Sequence, residues 1–340
     1  MKPLVSILIP AFNAESWIAD TIRSAIGETW PRKEIIVVDD GSTDQTLAIA
    51  RQFASKDVAV LTQENQGAAS TRNRALSLSQ GDYIQWLDAD DLLSPDKISK
   101  QMEAAEECRN PRLLFSCGWG SFAYRTDLAD FSPTALWCDL SPIEWIIRKM
   151  AQNLHMQTGT WLTRRELTEV AGAWDARLCV DDDGEYFCRV LLASDGVRFV
   201  PGAKVFYRLT PSSRLSYIGW SDKKKDAQLR SMQLHVKYIL SLENSDRVRA
   251  SCMAYLQTWL INFYPERPDI VQELEGLAMS LGGRLEVPRL RWKYAWIKPL
   301  FGWVAAKNAQ IVLPQLKASI VRFWGKTMYE LAKSARKNFS

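Results

Sequence analysis

Three aspartates lie together where a predicted strand ends. The aromatic-rich run Tyr83–Leu87 has the alternation of a buried strand, and Asp88, Asp90 and Asp91 follow it directly. Three negative charges within four residues repel one another, so a folded chain tolerates them best when a divalent cation chelated by phosphate oxygens lies among them. The run therefore predicts a metal-dependent phosphate or nucleotide site. A solvated acidic turn is the alternative interpretation.

Composition and charge bound the class of protein. The chain has 340 residues, 47% of them hydrophobic, which is enough for one large core with an appendage. Residues 288–340 hold eleven Lys or Arg side chains and a single acid, Glu330. A basic tail on an acidic body predicts an anionic partner surface. The six cysteines are scattered and Leu4–Ile9 is too short for a signal peptide, so we expect a cytoplasmic protein with reduced thiols.

The first hundred residues alternate strand-like and helix-like segments. Four apolar runs predict strands at Leu4–Ile9, Glu34–Val38, Val58–Leu61 and Tyr83–Leu87, and each is followed by a segment with helical spacing or helix-start signals. Repeated strand–helix units with fully apolar strands predict a Rossmann-like α/β fold, with a mostly parallel sheet flanked by helices. Ligands of such sheets bind at the carboxyl ends of the strands, so the polar clusters after the strands are expected to meet at one rim.

Four motifs occur in order at these strand ends. They are ILIPAFN at residues 7–13, EIIVVDDGSTD at 34–44, NQG and TRN within 65–73, and GDYIQWLDADD at 81–91. Together they resemble the family 2 inverting glycosyltransferases with a GT-A fold, of the bacterial cell-surface polysaccharide and lipid-linked glycan type. The resemblance covers about the first hundred residues and identifies the family rather than the sugar.

The resemblance implies a nucleotide-sugar donor site. Phe12 stands where the family stacks an aromatic ring on the base, usually uracil, and Pro10 and Asn13 shape that pocket. Asp40 corresponds to the carboxylate that hydrogen-bonds the base, with Asp39 supporting it. Core packing of Phe12 is the alternative interpretation.

The same resemblance implies how the diphosphate is held. Arg72 corresponds to a basic residue near the diphosphate, whose planar guanidinium suits phosphate oxygens. Asp88 and Asp90 are the two acids of the family's DXD motif, with Asp90 the expected direct ligand of Mn²⁺ or Mg²⁺. That ion would neutralise charge on the departing diphosphate. For Arg72, a plain surface charge is the alternative.

A second acidic cluster, Asp181–Asp183, precedes a predicted helix. Acids at this position are favourable against the helix dipole, so capping is one interpretation. The resemblance implies another, because inverting sugar transfer needs a general base and the family places an acid-rich motif here, followed by an arginine that Arg189 matches. On that alignment Asp183 is the predicted base. Asp182 is the next candidate, since the run Asp-Asp-Gly-Glu leaves the register uncertain by one residue.

Two further residues are assigned to the acceptor. Trp161, at the end of a strand predicted over residues 158–162, would offer a flat apolar face to a sugar, and Glu185 lies beside the predicted base. A core position for Trp161 is the alternative interpretation. His155 lies just before that strand, where a metal ligand or a phosphate contact is one interpretation and a structural histidine is the other, and it is left out of the predicted site.

The pattern changes to helices in the C-terminal third. We predict a catalytic domain over residues 1–215, with a donor half at 1–105 and an acceptor half at 106–215, and a helical region over 216–340. Its tail, 288–340, mixes aromatic residues with cations in the manner of a helix lying on an anionic inner-leaflet membrane. Docking on the core or on a sister subunit is the alternative.

Beyond residue 314 an apolar stripe recurs at helical spacing, at Leu316, Ile320, Phe323, Trp324, Met328, Leu331 and Ala335. Nucleic acid is disfavoured as the anionic partner, because the excess of basic over acidic residues is confined to the tail and no nucleic-acid-binding motif accompanies it.

Taken with these features, the resemblance implies a metal-dependent inverting glycosyltransferase that moves a sugar from a nucleotide-diphosphate donor, with a UDP-sugar as the expected donor, to a hydroxyl of a lipid-linked or growing cell-surface glycan. Two alternatives come from other classes. A catalytically inactive nucleotide-sugar-binding scaffold would keep the pocket without a working base. A phosphate-transfer enzyme on a similar sheet would need a nucleophilic aspartate after the first strand, where Pro10 and Phe12 stand.

Overall fold

A computed structural model describes residues 2–210, 218–219 and 221–313. The apolar stripe predicted beyond residue 314 lies outside these residues. Within them the chain forms one mixed sheet of eight strands in the order β3-β2-β1-β4-β7-β6-β8-β5. The strands are β1 (Val5–Ala11), β2 (Lys33–Asp39), β3 (Val58–Thr62), β4 (Tyr83–Trp86), β5 (Leu92–Leu93), β6 (Leu113–Phe122), β7 (Leu162–Arg164) and β8 (Gly196–Arg208).

Helices cover the sheet and continue beyond it. They are α1 (Ile18–Ile26), α2 (Thr46–Arg51), α3 (Ala68–Leu78), α4 (Lys97–Cys108), α5 (Pro142–Gln152), α6 (Arg165–Ala171), α7 (Asp182–Ala193), α8 (Asp222–Leu242), α9 (Asp246–Trp259), α10 (Pro268–Ser280) and α11 (Trp292–Ala295). Residues 297–313 are also helical. Short 3₁₀ turns lie at Thr126–Leu128, Thr158–Thr160 and Leu260–Asn262.

The first four strands form the parallel half of the sheet, as the sequence predicts. β1 pairs in parallel with both β2 and β4, and β2 pairs in parallel with β3. β1 is buried along its whole length, which explains its unbroken apolar sequence. β7 then runs antiparallel to both β4 and β6, which restores the direction of β4 in β6 and β8. The carboxyl ends of β1, β2, β4, β6 and β8 therefore lie at one edge.

One sequence prediction in the middle of the chain needs correction. The strand predicted over 158–162 is instead a 3₁₀ turn, Thr158–Thr160, followed by the short strand β7. Farther along, the long strand β8 follows β6 with a register shift after Cys117.

The C-terminal helices share the core of the sheet domain. One hydrophobic cluster joins Trp86 and Leu114 of the sheet to Met232 and Val236 of α8 and to Leu256 of α9, all of them buried. The predicted boundary after residue 215 stays a prediction, but the packing is continuous across it. Among the described residues no helix is both long and apolar enough to cross a bilayer.

Candidate active site

Arg72 is the centre of the polar rim. Its guanidinium lies on α3 and bridges two carboxylates, with Nη2 donating to Asp88 Oδ1 at 2.9 Å and Nη1 donating to Asp182 Oδ2 at 2.7 Å. The guanidinium also stacks over the ring of Trp174 at 4.5 Å, and the residue is only 6% exposed. A surface charge is therefore excluded. Arg72 joins the two acidic clusters through one hydrogen bond from each terminal nitrogen, and its contact with the diphosphate stays a prediction.

The loop that carries Asp88–Asp91 is held by hydrogen bonds from two residues distant in sequence, Arg208 and Thr21. Arg208, at the end of β8, donates its backbone N–H to Asp91 Oδ1 at 2.8 Å and its Nε to the Asp90 carbonyl at 2.8 Å. Thr21 on α1 donates to the carbonyls of Ala89 and Asp91, both at 2.9 Å. Asp91 is fully buried, and burial raises the pKa of its carboxyl well above the usual range. Asp91 therefore shapes the loop, while Asp88 and Asp90 are partly exposed at the rim.

The second acidic cluster begins with a residue in the left-handed backbone region. Asp181 has φ +52° and precedes the first turn of α7. Its carboxylate accepts a hydrogen bond from Ser231 on α8 and lies 3.5 Å from Nδ1 of His235 on the same helix. Burial, together with the charge of Lys149, lowers the pKa of His235 to about 4, so this imidazole is neutral at pH 7. The turn is thus fixed by the C-terminal helices.

Asp183 has the properties of a general base. Burial, aided by the charges of Asp182 and Asp181, raises the pKa of its carboxyl to about 7. Thr158 donates a long hydrogen bond of 3.4 Å to Asp183 Oδ2. Burial also raises the pKa of Asp182, although Arg72 opposes that shift. A catalytic pKa close to the working pH favours proton abstraction, and Asp182 is tied to Arg72, so the geometry favours Asp183.

The loop after β1 presents an aromatic ring at the same edge. Phe12 is 49% exposed, which excludes core packing, while Pro10 is buried inside β1. Asn13 adopts φ +47°, accepts from the Thr43 N–H at 2.9 Å and donates its own N–H to Ser42 at 3.0 Å. It therefore joins the loops after β1 and β2 beside an open aromatic face.

The neighbouring aspartates Asp39 and Asp40 differ in their hydrogen bonds. Both oxygens of Asp40 are engaged, because they accept hydrogen bonds from Gln63 Nε2 and from the backbone N–H groups of Gln66 and Gly67, at 2.7–2.9 Å. Asp40 thus holds the loop before α3. Asp39 uses Oδ2 for Thr62 and Ser42, and its buried Oδ1 has no hydrogen-bond partner. Both aspartates are buried, Asp39 at 1% and Asp40 at 3% exposure, so the contact of Asp40 with the base stays a prediction.

Neither predicted acceptor residue is accessible. Trp161 is 1% exposed and stacks on Phe187 with ring centroids 5.1 Å apart, so it belongs to the core. Glu185 is 2% exposed, pairs with Arg189 at 2.8 Å and accepts from the Tyr238 hydroxyl at 2.7 Å. Both assignments are wrong for the same reason, because each side chain points into the protein. Arg189 also belongs to this buried pair.

The residues at the rim suit a metal that is shared with substrate. No group of three or more His, Cys, Asp or Glu side chains in the described ranges is arranged to hold a metal ion. Asp88 and Asp90 nevertheless offer two partly exposed carboxylates on one turn. Mg²⁺ characteristically takes one or two carboxylates from a protein and its remaining ligands from substrate phosphates and water. The pair fits that kind of site.

Sequence reasoning missed three residues of this site. Arg208 is the last residue of β8, and its charge at the end of a strand-like run was the available signal. Ser231 and His235 carry no local signal, because they lie 50 or more residues beyond the turn that they hold.

Comparison with known proteins identifies the N-terminal part. Residues 6–123 match the family model described as glycosyl transferase family 2. The chain carries a family 2 glycosyl transferase domain. The family predicted from the four motifs is therefore confirmed, and those motifs, which begin at residue 7 and end at residue 91, lie inside the matched range.

Curated relatives share this domain. The chain is 45% identical over 105 residues to the putative teichuronic acid biosynthesis glycosyltransferase TuaG of Bacillus subtilis, covering 30% of this chain and 42% of that protein. It is 28% identical over 221 residues to the uncharacterized glycosyltransferase EpsJ of the same organism, covering 63% of each chain. The chain thus spans less than two thirds of the length of these relatives.

A solved structure extends the likeness to the whole fold. The crystal structure of S. aureus TarS 1-349 in complex with UDP-GlcNAc superimposes with a TM-score of 0.65 at 17% identity, over 82% of this chain and 81% of that one. The predicted GT-A fold of the family 2 domain, with C-terminal helices, is confirmed.

Proposed function

We propose that this chain is an inverting glycosyltransferase that transfers a sugar from a UDP-sugar to a hydroxyl of a lipid-linked or growing cell-surface glycan. One observation carries the proposal. A carboxylate whose pKa is raised to about 7, Asp183, lies on the same rim as the donor-side acids and is linked to them through its neighbour Asp182 and the buried Arg72.

The donor side is supported by an open aromatic face. The half-exposed ring of Phe12 stacks on the base, and Asn13 fixes the loop beside that ring. TarS, which shares the fold, was crystallised with UDP-GlcNAc and with UDP, which makes a uridine nucleotide the first donor to test.

The diphosphate side uses a metal. Asp88 and Asp90 are the residues that would hold Mn²⁺ or Mg²⁺ beside the donor. When bound, the ion supplies Lewis-acid stabilisation of the departing diphosphate. The residues of the chain set up this arrangement, because Arg72 orients Asp88 and Arg208 fixes the backbone at Asp90.

The acceptor side uses Asp183 as a general base. Its carboxylate accepts the proton of the acceptor hydroxyl as that oxygen attacks the anomeric carbon from the face opposite the diphosphate, which inverts the configuration. Thr158 and the helical turn orient the carboxylate. Arg72 neutralises Asp182, so that the negative charge next to the base is partly compensated.

The test is thermal stability of the full chain with a panel of nucleoside diphosphates and nucleotide sugars, with and without Mn²⁺, because a ligand that binds the folded state raises its melting temperature. Asp90→Ala is the test variant. Asp57→Ala is the matched control, since Asp57 is exposed and has only a 3.9 Å contact with Lys56.

The expected result is a metal-dependent rise with UDP or a UDP-sugar that Asp90→Ala abolishes and Asp57→Ala keeps. If no nucleotide stabilises the wild type, the proposed donor site and the transferase activity built on it are wrong. If stabilisation is equal without metal, Asp88 and Asp90 have another role.

The partner of the C-terminal region is an anionic membrane surface. Apolar side chains on residues 292–301 are open to solvent, with Trp292 87%, Trp296 60%, Leu300 67% and Phe301 69% exposed. Cations lie among them at Arg291, Lys293 and Lys298, and the sequence from 287 to 329 contains no Asp or Glu. Interfacial tryptophans between cations suit the headgroup region of an anionic leaflet. A lipid-linked acceptor would be presented at such a surface.

Vesicle co-sedimentation tests this surface. The full chain is expected to sediment with phosphatidylglycerol-rich vesicles and not with phosphatidylcholine vesicles, and the double variant Trp292→Ser with Phe301→Ser is expected to lose binding. Leu128→Ser is the control, because Leu128 is 69% exposed but lies in the sheet domain. Equal sedimentation of wild type and double variant would contradict the assignment.

A further inference from the structure

A cavity lies away from the acidic rim, between the start of α8, the end of α9 and the helix at 297–313. Its volume is about 270 Å³, which corresponds to the liquid volume of roughly nine water molecules. Trp259, Ile311 and Val312 give it an apolar wall. None of its lining residues belongs to the rim that holds Asp88 and Asp183. The cavity can therefore hold one small polar ligand, and its lining residues are separate from those of the rim.

Two buried cations line this cavity. Lys225 and Lys307 are 5% and 4% exposed. The Lys307 ammonium makes two short hydrogen bonds, to Glu266 Oε2 at 2.7 Å and to the Tyr264 carbonyl at 2.9 Å. The contact of the Lys225 ammonium with a carboxylate oxygen, Asp222 Oδ1, is 3.6 Å long, which is beyond a normal hydrogen bond. A buried ammonium with so weak a partner calls for an anion.

Two acceptors at the same cavity also lack partners. Glu266 Oε1 and Asn308 Oδ1 are both buried and accept no hydrogen bond. Both residues line the cavity. Because these atoms are acceptors, an occupant must donate hydrogen bonds to them, which an inorganic anion such as orthophosphate does poorly and a hydroxyl does well. The apolar wall suits the carbon skeleton that would carry such hydroxyls.

We propose that this cavity binds a hydroxylated anion of the size of one sugar unit, such as a phosphorylated or carboxylated sugar. Its anionic group lies against the Lys225 ammonium, its hydroxyls donate to Glu266 and Asn308, and its ring lies against Trp259. The proposal is independent of the proposed transferase activity, because it uses none of the residues assigned to donor, metal or base.

The cavity is connected to the rim through α8. Lys225 and Ser231 are six residues apart on this helix, which is about 9 Å along its axis. Ser231 is the residue that holds Asp181. A glycan unit in the cavity would therefore be bound by the same helix that positions the turn of Asp183.

The test measures binding of glucose 6-phosphate, glucuronate, glucose and inorganic phosphate to the full chain by calorimetry, with UDP and Mn²⁺ present in excess to fill the donor site. Lys225→Met removes the charge and keeps the aliphatic chain, and Lys225→Arg keeps the charge. Lys237→Met is the matched control, because Lys237 is exposed on the same helix.

At least one of the two sugar anions is expected to bind more tightly than both glucose and phosphate. Lys225→Met should weaken that binding tenfold or more, whereas Lys225→Arg and Lys237→Met should change it less than threefold. If Lys225→Met does not fold, Asn308→Ala replaces it, with a threefold or greater loss of preference for the sugar anion over phosphate. A comparison of glucose 6-phosphate with glucuronate shows whether the cavity prefers a phosphate or a carboxylate as the anionic group.

Other outcomes overturn the proposal. If none of the four compounds binds at 10 mM, or if binding is unchanged in Lys225→Met, the cavity holds water only. If inorganic phosphate binds as tightly as the sugar anions, the hydroxyl contacts are wrong. If UDP does not bind, the proposed donor site is wrong. The binding of sugar anions at the cavity can still be interpreted, because the comparison of lysine variants does not depend on UDP.

Discussion

Two clusters of three aspartates lie in this molecule, and they are held in different ways. Asp88, Asp90 and Asp91 follow a central strand, and their loop is clamped by Arg208 and Thr21 within the sheet domain. Asp181–Asp183 begins a helix, and its turn is held by side chains of α8. The first cluster is therefore fixed by the α/β fold itself, whereas the second depends on helices added after it.

The environments also give the same residue type different protonation behaviour. Burial raises the pKa of Asp91 and of Asp183, whereas the charge of Lys149 and the hydrogen bonds to Asp181 overcome burial and lower the pKa of that carboxyl. Pairs of acids whose pKa values are pushed apart by their surroundings mark acid–base chemistry. Arg72 connects the clusters, because it binds Asp88 in one and Asp182 in the other.

The largest expected effect separates the two clusters by function. Asp183→Asn removes the base while keeping the shape of the side chain, so transfer should fall about 10²–10⁴-fold. Metal-dependent UDP binding should be unchanged, because the first cluster is intact. The measurements are the transfer rate and the UDP melting shift on one preparation. A variant that keeps a tenth of wild-type transfer would show that Asp183 is not the base.

The next effect tests the link between the clusters. Arg72→Met leaves Asp88 and Asp182 without their shared cation, so the free energy of unfolding should fall by about 3–5 kcal/mol, as for other buried pairs that lose one partner. Urea denaturation measures this change. The double variant with Asp182→Asn should recover part of the loss. A loss below about 1 kcal/mol would mean that the pairs are weak and that Arg72 is free for phosphate.

A smaller effect tests how the clusters differ in charge. Asp183 must be ionised to act, so wild-type activity should fall as the pH drops through about 7. Asp181→Asn removes a neighbouring negative charge, which lowers the pKa of Asp183 and moves the acidic limb of the pH–rate profile to lower pH, by roughly one unit. Asp91→Asn, in the other cluster, should leave this limb in place. A limb that stays fixed in Asp181→Asn would contradict the coupling.

The smallest effect concerns the residues first assigned to the acceptor. Trp161→Phe should leave the KM for the acceptor within twofold of the wild type. It should lower the free energy of unfolding by about 1–3 kcal/mol, because a buried indole is replaced by a smaller phenyl ring. Acceptor titrations and urea denaturation provide the two numbers. A tenfold rise in the acceptor KM with unchanged stability would restore the sequence-based assignment.

Much of the donor half could be predicted because its signals are local. Apolar runs that end in polar turns gave the four parallel strands, and the rule that ligands bind at their carboxyl ends placed Phe12, Asp88 and Asp90 at one rim. The hydrogen-bond partners of Asp40 could not be predicted. They are the backbone N–H groups of Gln66 and Gly67, which only the folded loop brings to this carboxylate.

The sequence by itself determined the alternation of strands and helices, the position of both acidic clusters at element ends and the family to which the motifs belong. The tertiary structure alone decided which of these side chains face the rim. Arg72 reaches a carboxylate 110 residues away, and Trp161 and Glu185 turn into the core. The physical reason is that periodicity fixes the face on which a residue lies, whereas its burial and charge partners are set by segments distant in the chain.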